Sequence, residues 1–120
     1  MFPPTVMIVE DDSTVIYMME RYAQRSKCQV ITTCGIDALA LAKEETPAVI
    51  MLDILMPGMD GWQVLRALRG DPVTCDIPVV LCSALDEQAR GQAEGADYYL
   101  KKPILYRDFV IALTSVGIRI

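Results

Sequence analysis

The chain has 120 residues, 52% of them hydrophobic, and carries a formal net charge of −5 at pH 7. This length fits one domain, and no apolar stretch is long enough to span a bilayer, so we expect a single globular unit over residues 1–120 with no membrane contact. The negative charge disfavours sequence-independent binding to nucleic acid, and the absence of histidine excludes Ser-His-Asp and Cys-His catalysis.

The N-terminus shows no basic region followed by an apolar segment and a cleavage site, which predicts a cytoplasmic location. The four cysteines are Cys28, Cys34, Cys75 and Cys82. They contain no Cys-x-x-Cys pair, and no histidine is available to complete a mixed zinc site. Buried, reduced thiols are therefore expected.

Five short apolar runs alternate along the chain with five helical patterns. The runs predict strands at 5–9, 29–32, 48–53, 79–82 and 98–100. Helices are predicted at 15–25, 36–45, 62–69, 86–94 and 106–116. Four of the strands are almost continuously hydrophobic, which is typical of a parallel sheet covered by helices on both faces. The predicted fold class is α/β, without a second domain.

Two segments depart from this regular alternation. Residues 70–78 are rich in turn-forming residues and predict a connection rather than a helix or strand. The fourth helix is weak, because Gly91 lies within it and Gly95 ends it. With few large apolar residues, this helix is a candidate mobile element.

Polar residues follow four of the five predicted strands at their carboxyl ends. They are Glu10, Asp11, Asp53, Ser83 and Lys102. Parallel strands joined by right-handed crossovers place these ends on one edge of the sheet, where ligands bind in open α/β folds. We therefore expect the five side chains to lie together.

Three carboxylates brought together repel one another and favour a bound cation. Hard oxygen ligands, with room left for water and a phosphoryl oxygen, suit Mg²⁺ better than zinc or a fully enclosed Ca²⁺. Lys102 would supply a fixed positive charge, and the Ser83 hydroxyl could donate to a phosphoryl oxygen.

Each of these residues also has a purely structural interpretation. Asp53 could cap the following turn, and the acidic residues after the first strand could favour the positive end of the next helix. Ser83 could be a helix cap and Lys102 part of a solvated turn. The coincidence of all five on matching strand ends favours a functional site.

Four ordered segments carry a resemblance to a known family. They are VMIVEDD ending at Asp12, IMLDILMPGMDG ending at Gly61, PVVLCSA ending at Ala84 and GADYYLKKP ending at Pro103. Together they resemble the receiver domains of bacterial two-component response regulators, over essentially the whole chain. The resemblance implies a flavodoxin-like, doubly wound five-stranded parallel sheet in strand order 2-1-3-4-5, with five helices.

The resemblance also implies a role for each site residue. Asp53 would accept a phosphoryl group from a histidine kinase or a histidine phosphotransfer protein. Mg²⁺, for which Mn²⁺ could substitute, would be bound by Asp53 and Asp11, by the backbone carbonyl of Leu55 and, through water, by Glu10. The remaining roles concern the phosphoryl group and the switch: Lys102 would pair with the phosphoryl group, Ser83 would be the switch hydroxyl and Tyr99 the switch aromatic. Asp12 falls just beyond the acidic pair and is interpreted as a helix-start residue.

The implied function is a signalling switch rather than an enzyme that turns over outside substrates. Phosphorylated Asp53 would draw Ser83 inward, Tyr99 would move into the vacated space, and the surface of the fourth helix, fifth strand and fifth helix would change for an unknown output partner. Direct nucleic-acid binding by this domain is not expected. For a shift from ~1:99 to ~99:1, phosphorylation must favour the active state by ~5.5 kcal/mol.

The last helix carries apolar residues outside its inward stripe. Tyr106 and Val110, followed by Ile118 and Ile120, could form an interaction surface, including a homodimer contact. Alternatively, this tail packs back onto the domain. Both interpretations are open at this point.

Two other protein classes are compatible with parts of the pattern. Phosphatases resembling the haloacid-dehalogenase family place an acidic residue two positions after the nucleophile, whereas Leu55 occupies that position here. A flavodoxin needs a phosphate-binding loop after the first strand, where the acidic residues 10–12 would repel phosphate. Failure to release phosphate catalytically from a generic ester would argue against the phosphatase, and a colourless purified protein would exclude the flavodoxin.

Overall fold

The computed structural model describes residues 2–119, which form five strands and five helices in strict alternation. The strands are β1 Thr5–Val9, β2 Gln29–Thr33, β3 Val49–Asp53, β4 Val79–Ser83 and β5 Tyr98–Lys101. The helices are α1 Ser13–Arg25, α2 Ala38–Glu45, α3 Gly61–Arg69, α4 Gln88–Ala93 and α5 Tyr106–Ser115.

The strands form one parallel sheet in the order β2-β1-β3-β4-β5. This confirms the predicted flavodoxin-like topology. The central strands β3 and β4 are buried over their whole length, as expected for strands covered on both faces. In register, Val9 of β1 lies beside Leu52 of β3, and Asp53 lies beside Cys82 of β4. The next residues along β1, β3 and β4 therefore emerge at one edge of the sheet.

Alternate side chains of the strands divide the core into two layers. One layer joins the sheet to α1 and α5 and includes Met19 and Phe109. The other joins it to α2 and α3 and includes Ala42 and Leu65. Helix α4 contributes only Gly91 as a buried residue, so little apolar burial holds this helix in place.

The predicted elements are confirmed, with small differences at their ends. Helix α2 begins at Ala38 rather than at residue 36, because Ile36 is 75% exposed and does not join the apolar face. Helix α4 begins at Gln88, since residues 84–87 form the loop after β4. Asp12 caps α1 as expected, accepting hydrogen bonds from the backbone N–H groups of Thr14 and Val15.

The prediction that the cysteines are buried is correct for only two of the four. Cys28 and Cys82 are buried, whereas Cys34 is exposed and Cys75 is half-buried. Burial raises the pKa of both the Cys28 and the Cys82 thiol above the ordinary value. Cys34 escapes burial because it follows the edge strand β2 at the rim of the sheet.

Part of the apolar tail packs back onto the domain. The Tyr106 ring lies 5.5 Å from that of Tyr22 and carries the Arg25 guanidinium 4.1 Å from its centre. Ile118 is half-buried against the core layer of α1 and α5. Ile120, which was grouped with this surface, lies outside the described residues. Within residues 2–119, no helix is long and apolar enough to cross a membrane.

Candidate functional site

Three carboxylates meet where β1 and β3 end. One ligand oxygen from each of Glu10, Asp11 and Asp53 lies within 4.8 Å of the others. Glu10 and Asp53 are each only 4% exposed, whereas Asp11 faces solvent. Adjacent register positions of two paired strands bring the two buried groups together, as the sequence predicted.

Glu10 is held on both of its carboxylate oxygens. Oε2 accepts hydrogen bonds from the backbone N–H of Asp11 at 3.2 Å and of Asp12 at 3.3 Å. Oε1 accepts from Lys102 Nζ at 2.9 Å. The turn between β1 and α1 thus fixes Glu10, and Asp11 is left as the exposed member of the pair.

Lys102 lies between the two buried carboxylates. Its Nζ is 2.9 Å from Glu10 Oε1 and 3.3 Å from Asp53 Oδ1. The side chain follows β5 directly, and the backbone N–H of Lys102 donates to the Ser83 carbonyl at 2.7 Å, which anchors it beside β4. The Lys102–Pro103 peptide bond is cis.

The electrostatics of this group are set by burial and by its unequal charges. Desolvation raises the pKa of Glu10, and the neighbouring Asp53 raises it further, which outweighs the opposing hydrogen bond from Lys102. Burial alone would lower the pKa of Lys102, but its hydrogen bond to Glu10 and the negative charges of Glu10 and Asp53 leave that pKa raised. One lysine faces three carboxylates, so the cleft retains net negative charge and favours a cation.

Ser83 ends β4 and is fully buried beside the acidic cleft. Its Oγ accepts a hydrogen bond from the backbone N–H of Leu85 at 3.0 Å. The Ser83 hydroxyl therefore lies at the edge of the site. It also holds the first residues of the loop that leads from β4 to α4.

Tyr99 of β5 forms hydrogen bonds with the same loop. Its hydroxyl donates to the Leu85 carbonyl and accepts from the backbone N–H of Glu87 at 3.0 Å. The ring is half-buried against the core layer of α2 and α3. The two predicted switch residues therefore bind one shared segment, residues 84–87, which we call the β4–α4 loop.

The turn after Asp53 packs tightly against the strand that carries it. The N–H of Gly61 donates to the Ile54 carbonyl at 2.7 Å, and the N–H of Leu55 lies 3.4 Å from Asp53 Oδ1. Leu55 is 56% exposed, and its backbone N–H lies beside the Asp53 carboxylate.

The structure brings the acidic residues, Lys102 and Ser83 to one edge of the sheet. Tyr99, on β5, contacts the β4–α4 loop through its hydroxyl rather than the acidic cleft. Sequence reasoning did not identify the backbone of Leu85 and Glu87, to which Ser83 and Tyr99 bind. Every residue type has a backbone C=O and every type except proline a backbone N–H, so no residue pattern could have signalled these partners.

Comparison with known proteins identifies the class to which this fold and cleft belong. The sequence profile for the response regulator receiver domain matches residues 6–114. The chain therefore belongs to the receiver domain family of response regulators, whose members are signalling switches rather than classical enzymes. Receiver domains bind Mg²⁺ at an acidic pocket, to which the cluster of Glu10, Asp11 and Asp53 corresponds.

Particular relatives differ in how much of their length the chain covers. It is 40% identical to Response regulator PleD of Caulobacter vibrioides over 82% of this chain but only 23% of PleD. It is 36% identical to Protein PilH of Pseudomonas aeruginosa over 82% of this chain and 85% of PilH. A crystal structure from Chloroflexus aurantiacus, described as a response regulator, superposes with a TM-score of 0.90 at 29% identity, over 98% of this chain and 99% of that one.

Proposed function

We propose that Asp53 is the residue that accepts the phosphoryl group. The observation that carries this assignment is the position of Asp53, buried at the end of β3 with Lys102 Nζ 3.3 Å from its Oδ1. Both oxygens of Glu10 already accept hydrogen bonds, whereas the contacts of Asp53 with Lys102 and Leu55 fall on the same oxygen, Oδ1. Asp53 therefore keeps its second oxygen, Oδ2, for attack on phosphorus.

The reaction is a transfer between a phosphohistidine and a carboxylate. An Asp53 oxygen attacks phosphorus, the P–N bond breaks, and its electron pair returns to the imidazole nitrogen, which takes up a proton. The new bond is the P–O bond of an aspartyl phosphate. Lys102 offsets negative charge on the transferring group, because its pKa is raised and its ammonium stays protonated at neutral pH.

The residues of the cleft fit a Mg²⁺ ion, with Mn²⁺ as a substitute. Asp11 and Asp53 offer carboxylate oxygens, Glu10 lies within reach through a water molecule, and the Leu55 carbonyl is the proposed backbone ligand. When bound, the ion supplies positive charge for the phosphoryl oxygens. The exposed position of Asp11 leaves one side of this set open to solvent and to a phosphodonor.

The switch depends on the β4–α4 loop. When Ser83 turns its hydroxyl toward a phosphoryl oxygen, the hydrogen bond from Leu85 N–H to Ser83 Oγ is lost. Tyr99 then moves toward the space that Ser83 leaves, and its two bonds to the loop change as well. One covalent change at Asp53 thereby loosens the segment that leads into α4 and alters the surface of α4, β5 and α5 for an output partner.

The phosphodonor is a histidine kinase or a histidine phosphotransfer protein, and the output partner is a further protein or domain. We propose that residues 1–120 act as one receiver unit in the cytoplasm, without nucleic-acid binding of their own. Leu55 stands where a phosphatase of the haloacid-dehalogenase type carries its general acid. We therefore expect no catalytic turnover of outside phosphate esters.

Incubation with a small acyl phosphate and Mg²⁺, followed by mass analysis of the intact protein and its peptides, tests the assignment. One added phosphoryl group is expected in wild type and in Asp76→Asn, an exposed control in the 70–78 connection. No addition is expected in Asp53→Asn. A phosphoryl group that survives in Asp53→Asn would overturn the assignment.

Homodimerisation through α5 is a separate proposal. Because Tyr106 is engaged with Tyr22 and Arg25, the best candidate contact is Ile111, which is 49% exposed on α5. Sedimentation of the phosphorylated protein should show a dimer that Ile111→Glu dissociates. A monomer before and after phosphorylation would contradict it.

A further inference from the structure

Helix α4 buries little of its own surface in the core. It has six residues, no side-chain cap at its N-terminus, and Gly91 as its only buried residue. A Cβ at Gly91 would lie 3.1 Å from Leu81 Cδ1, so the helix approaches the sheet closely but covers little of it with side chains. Other contacts must fix its position.

Two arginines supply these contacts from opposite directions. Arg90 of α4 places its guanidinium 4.2 Å from the ring centre of Trp62, a buried residue of α3. Arg66 of α3 binds the carboxylate of Glu94 with two hydrogen bonds, from Nε at 3.0 Å and from a terminal nitrogen at 3.1 Å. We call this set, Trp62, Arg66, Arg90 and Glu94, the α3–α4 latch.

The latch is connected at its α3 end to the strand that carries Asp53. Trp62 directly follows Gly61, whose N–H donates to the Ile54 carbonyl at 2.7 Å. At its other end, α4 follows the β4–α4 loop held by Ser83 and Tyr99. Once these two residues release the loop, the latch remains as a side-chain restraint on α4, beside the hydrogen bond from Arg69 Nε to the Gly95 carbonyl just after the helix at 3.0 Å.

We propose that the α3–α4 latch holds α4 in its unphosphorylated position and sets the threshold for its release. This inference rests on the proposed switching of Ser83 and Tyr99. A stronger latch keeps the helix in place after phosphorylation, and a weaker latch lets it move before phosphorylation. The α3–α4 latch is specific to the side chains of this sequence, because it needs both an aromatic residue at position 62 and a cation at position 90.

Hydrogen exchange of the unphosphorylated protein tests the holding role. The amide of Gly91 donates to the Glu87 carbonyl at 2.9 Å and reports on α4. Its exchange should be roughly three- to thirtyfold faster in the double variant Arg66→Gln/Arg90→Gln, given the ordinary strength of such pairs. Arg107→Gln, which removes an exposed arginine of α5, should leave the rate unchanged. Equal exchange in the double variant and wild type would overturn the proposal.

Fluorescence tests release, because Trp62 is the only tryptophan of the chain. Phosphorylation of wild type with an acyl phosphate and Mg²⁺ should make Trp62 more accessible to acrylamide, and Arg90→Gln should show much of that increase before phosphorylation. Mass analysis of the same samples separates the two proposals. An added phosphoryl group without a change at Trp62 would overturn the latch alone.

Failure to add any phosphoryl group to wild type would overturn the proposed function and the threshold role with it. The exchange measurement would still decide whether the latch holds α4. The double variant should also accept the phosphoryl group several-fold faster, since more of it already occupies the released state. An equal or lower rate would contradict the threshold role.

Discussion

Gly61 is the glycine at which an added side chain would clash most closely with the backbone. A Cβ at this position would lie 2.4 Å from the Asp53 carbonyl oxygen and 2.5 Å from Ile54 Cα, both of which are backbone atoms. We expect Gly61→Ala to lower the free energy of unfolding by about 2–4 kcal/mol, because α3 or the end of β3 must move. Urea denaturation measures the loss.

A second glycine of the same turn provides the control for this substitution. Gly58 has a φ of +82° and no atom within 4 Å of a built Cβ. Gly58→Ala therefore meets only backbone strain and should cost about 1 kcal/mol. A cost for Gly61→Ala as small as that for Gly58→Ala would show that α3 is not pressed against the strand that carries Asp53.

The raised pKa of Glu10 makes the stability of the folded protein depend on pH. Burial raises its pKa in the folded protein, so between the unfolded value of 4.5 and the raised value the folded state holds the proton more tightly. Stability from this group therefore decreases as pH rises through that window. In Mg²⁺-free buffer, Glu10→Gln should gain stability relative to wild type as pH rises from 4.5 toward neutrality.

Parallel urea denaturation of the two proteins at several pH values measures this difference. The comparison cancels the titration of the exposed carboxylates, which both proteins share. A difference that stays constant with pH, or that changes in favour of wild type as pH rises, would contradict the assignment of burial as the dominant cause.

At the scale of elements, the helices differ in how their N-termini are capped. Asp60 begins α3 with a full capping box, in which its side chain accepts from the Gln63 N–H while the Gln63 side chain accepts from the Asp60 N–H. Asp37 precedes α2 in the equivalent position but makes no cap hydrogen bond. The same residue type thus has different roles at two helix starts.

This difference predicts unequal costs for the same substitution. Asp60→Ala should lower the free energy of unfolding by about 1 kcal/mol, because the backbone N–H of Gln63 loses its acceptor and the reciprocal capping box is broken. Asp37→Ala should change it by less than about 0.5 kcal/mol. Chemical denaturation of the two variants side by side measures both values. Equal losses in the two variants would show that the capping box of Asp60 adds no stability over an aspartate that makes no cap hydrogen bond.

Apolar pattern made the elements predictable, and tertiary contact limited how well their ends could be predicted. Continuous hydrophobic runs indicated β3 and β4 because both strands are buried throughout. The start of α2 was placed two residues early, because Ile36 fits a helical pattern and only the packed structure leaves it exposed. Cys34 is exposed although the thiols were expected to be buried, because that expectation rested on residue type and not on the place of Cys34 after β2, which the expected strand order puts at the sheet edge.

The site was predictable where a residue type serves a chemical role at a strand end. Glu10, Asp53 and Lys102 meet as expected because parallel strands fix the placement of their ends. The hold of Ser83 and Tyr99 on the β4–α4 loop and the stacking of Arg90 on Trp62 depend on side-chain positions across helices and loops. No spacing of residues in the sequence predicts such contacts.

At the scale of the whole molecule, charge is distributed unevenly. On the α3 and α4 side, cations are paired within the fold: Lys43 with Asp71, Arg66 with Glu94, and Arg69 with Asp97. At the carboxyl edge of the sheet, a single lysine faces three carboxylates. In a chain of net charge −5, an added cation at that edge would relieve repulsion among these carboxylates.

We expect this imbalance to make the stability of the protein depend on Mg²⁺ in a way that NaCl does not reproduce. A ligand that binds only the folded state at about ten times its dissociation constant adds about 1.4 kcal/mol, which raises the melting temperature by about 3–6 °C for a domain of this size. We expect that gain with MgCl₂ but not with NaCl at equal ionic strength, and chelation should reverse it.

Asp11→Asn separates metal binding from relief of repulsion, because the two effects have opposite signs. Asp11 is exposed and makes no contact with Lys102, so its replacement should raise or preserve the melting temperature without Mg²⁺. The same variant should lose most of the Mg²⁺-dependent gain, since one carboxylate ligand is gone. Calorimetric scans of both proteins, with and without MgCl₂, measure the four melting temperatures. A full Mg²⁺ gain in Asp11→Asn would place the cation elsewhere on the molecule.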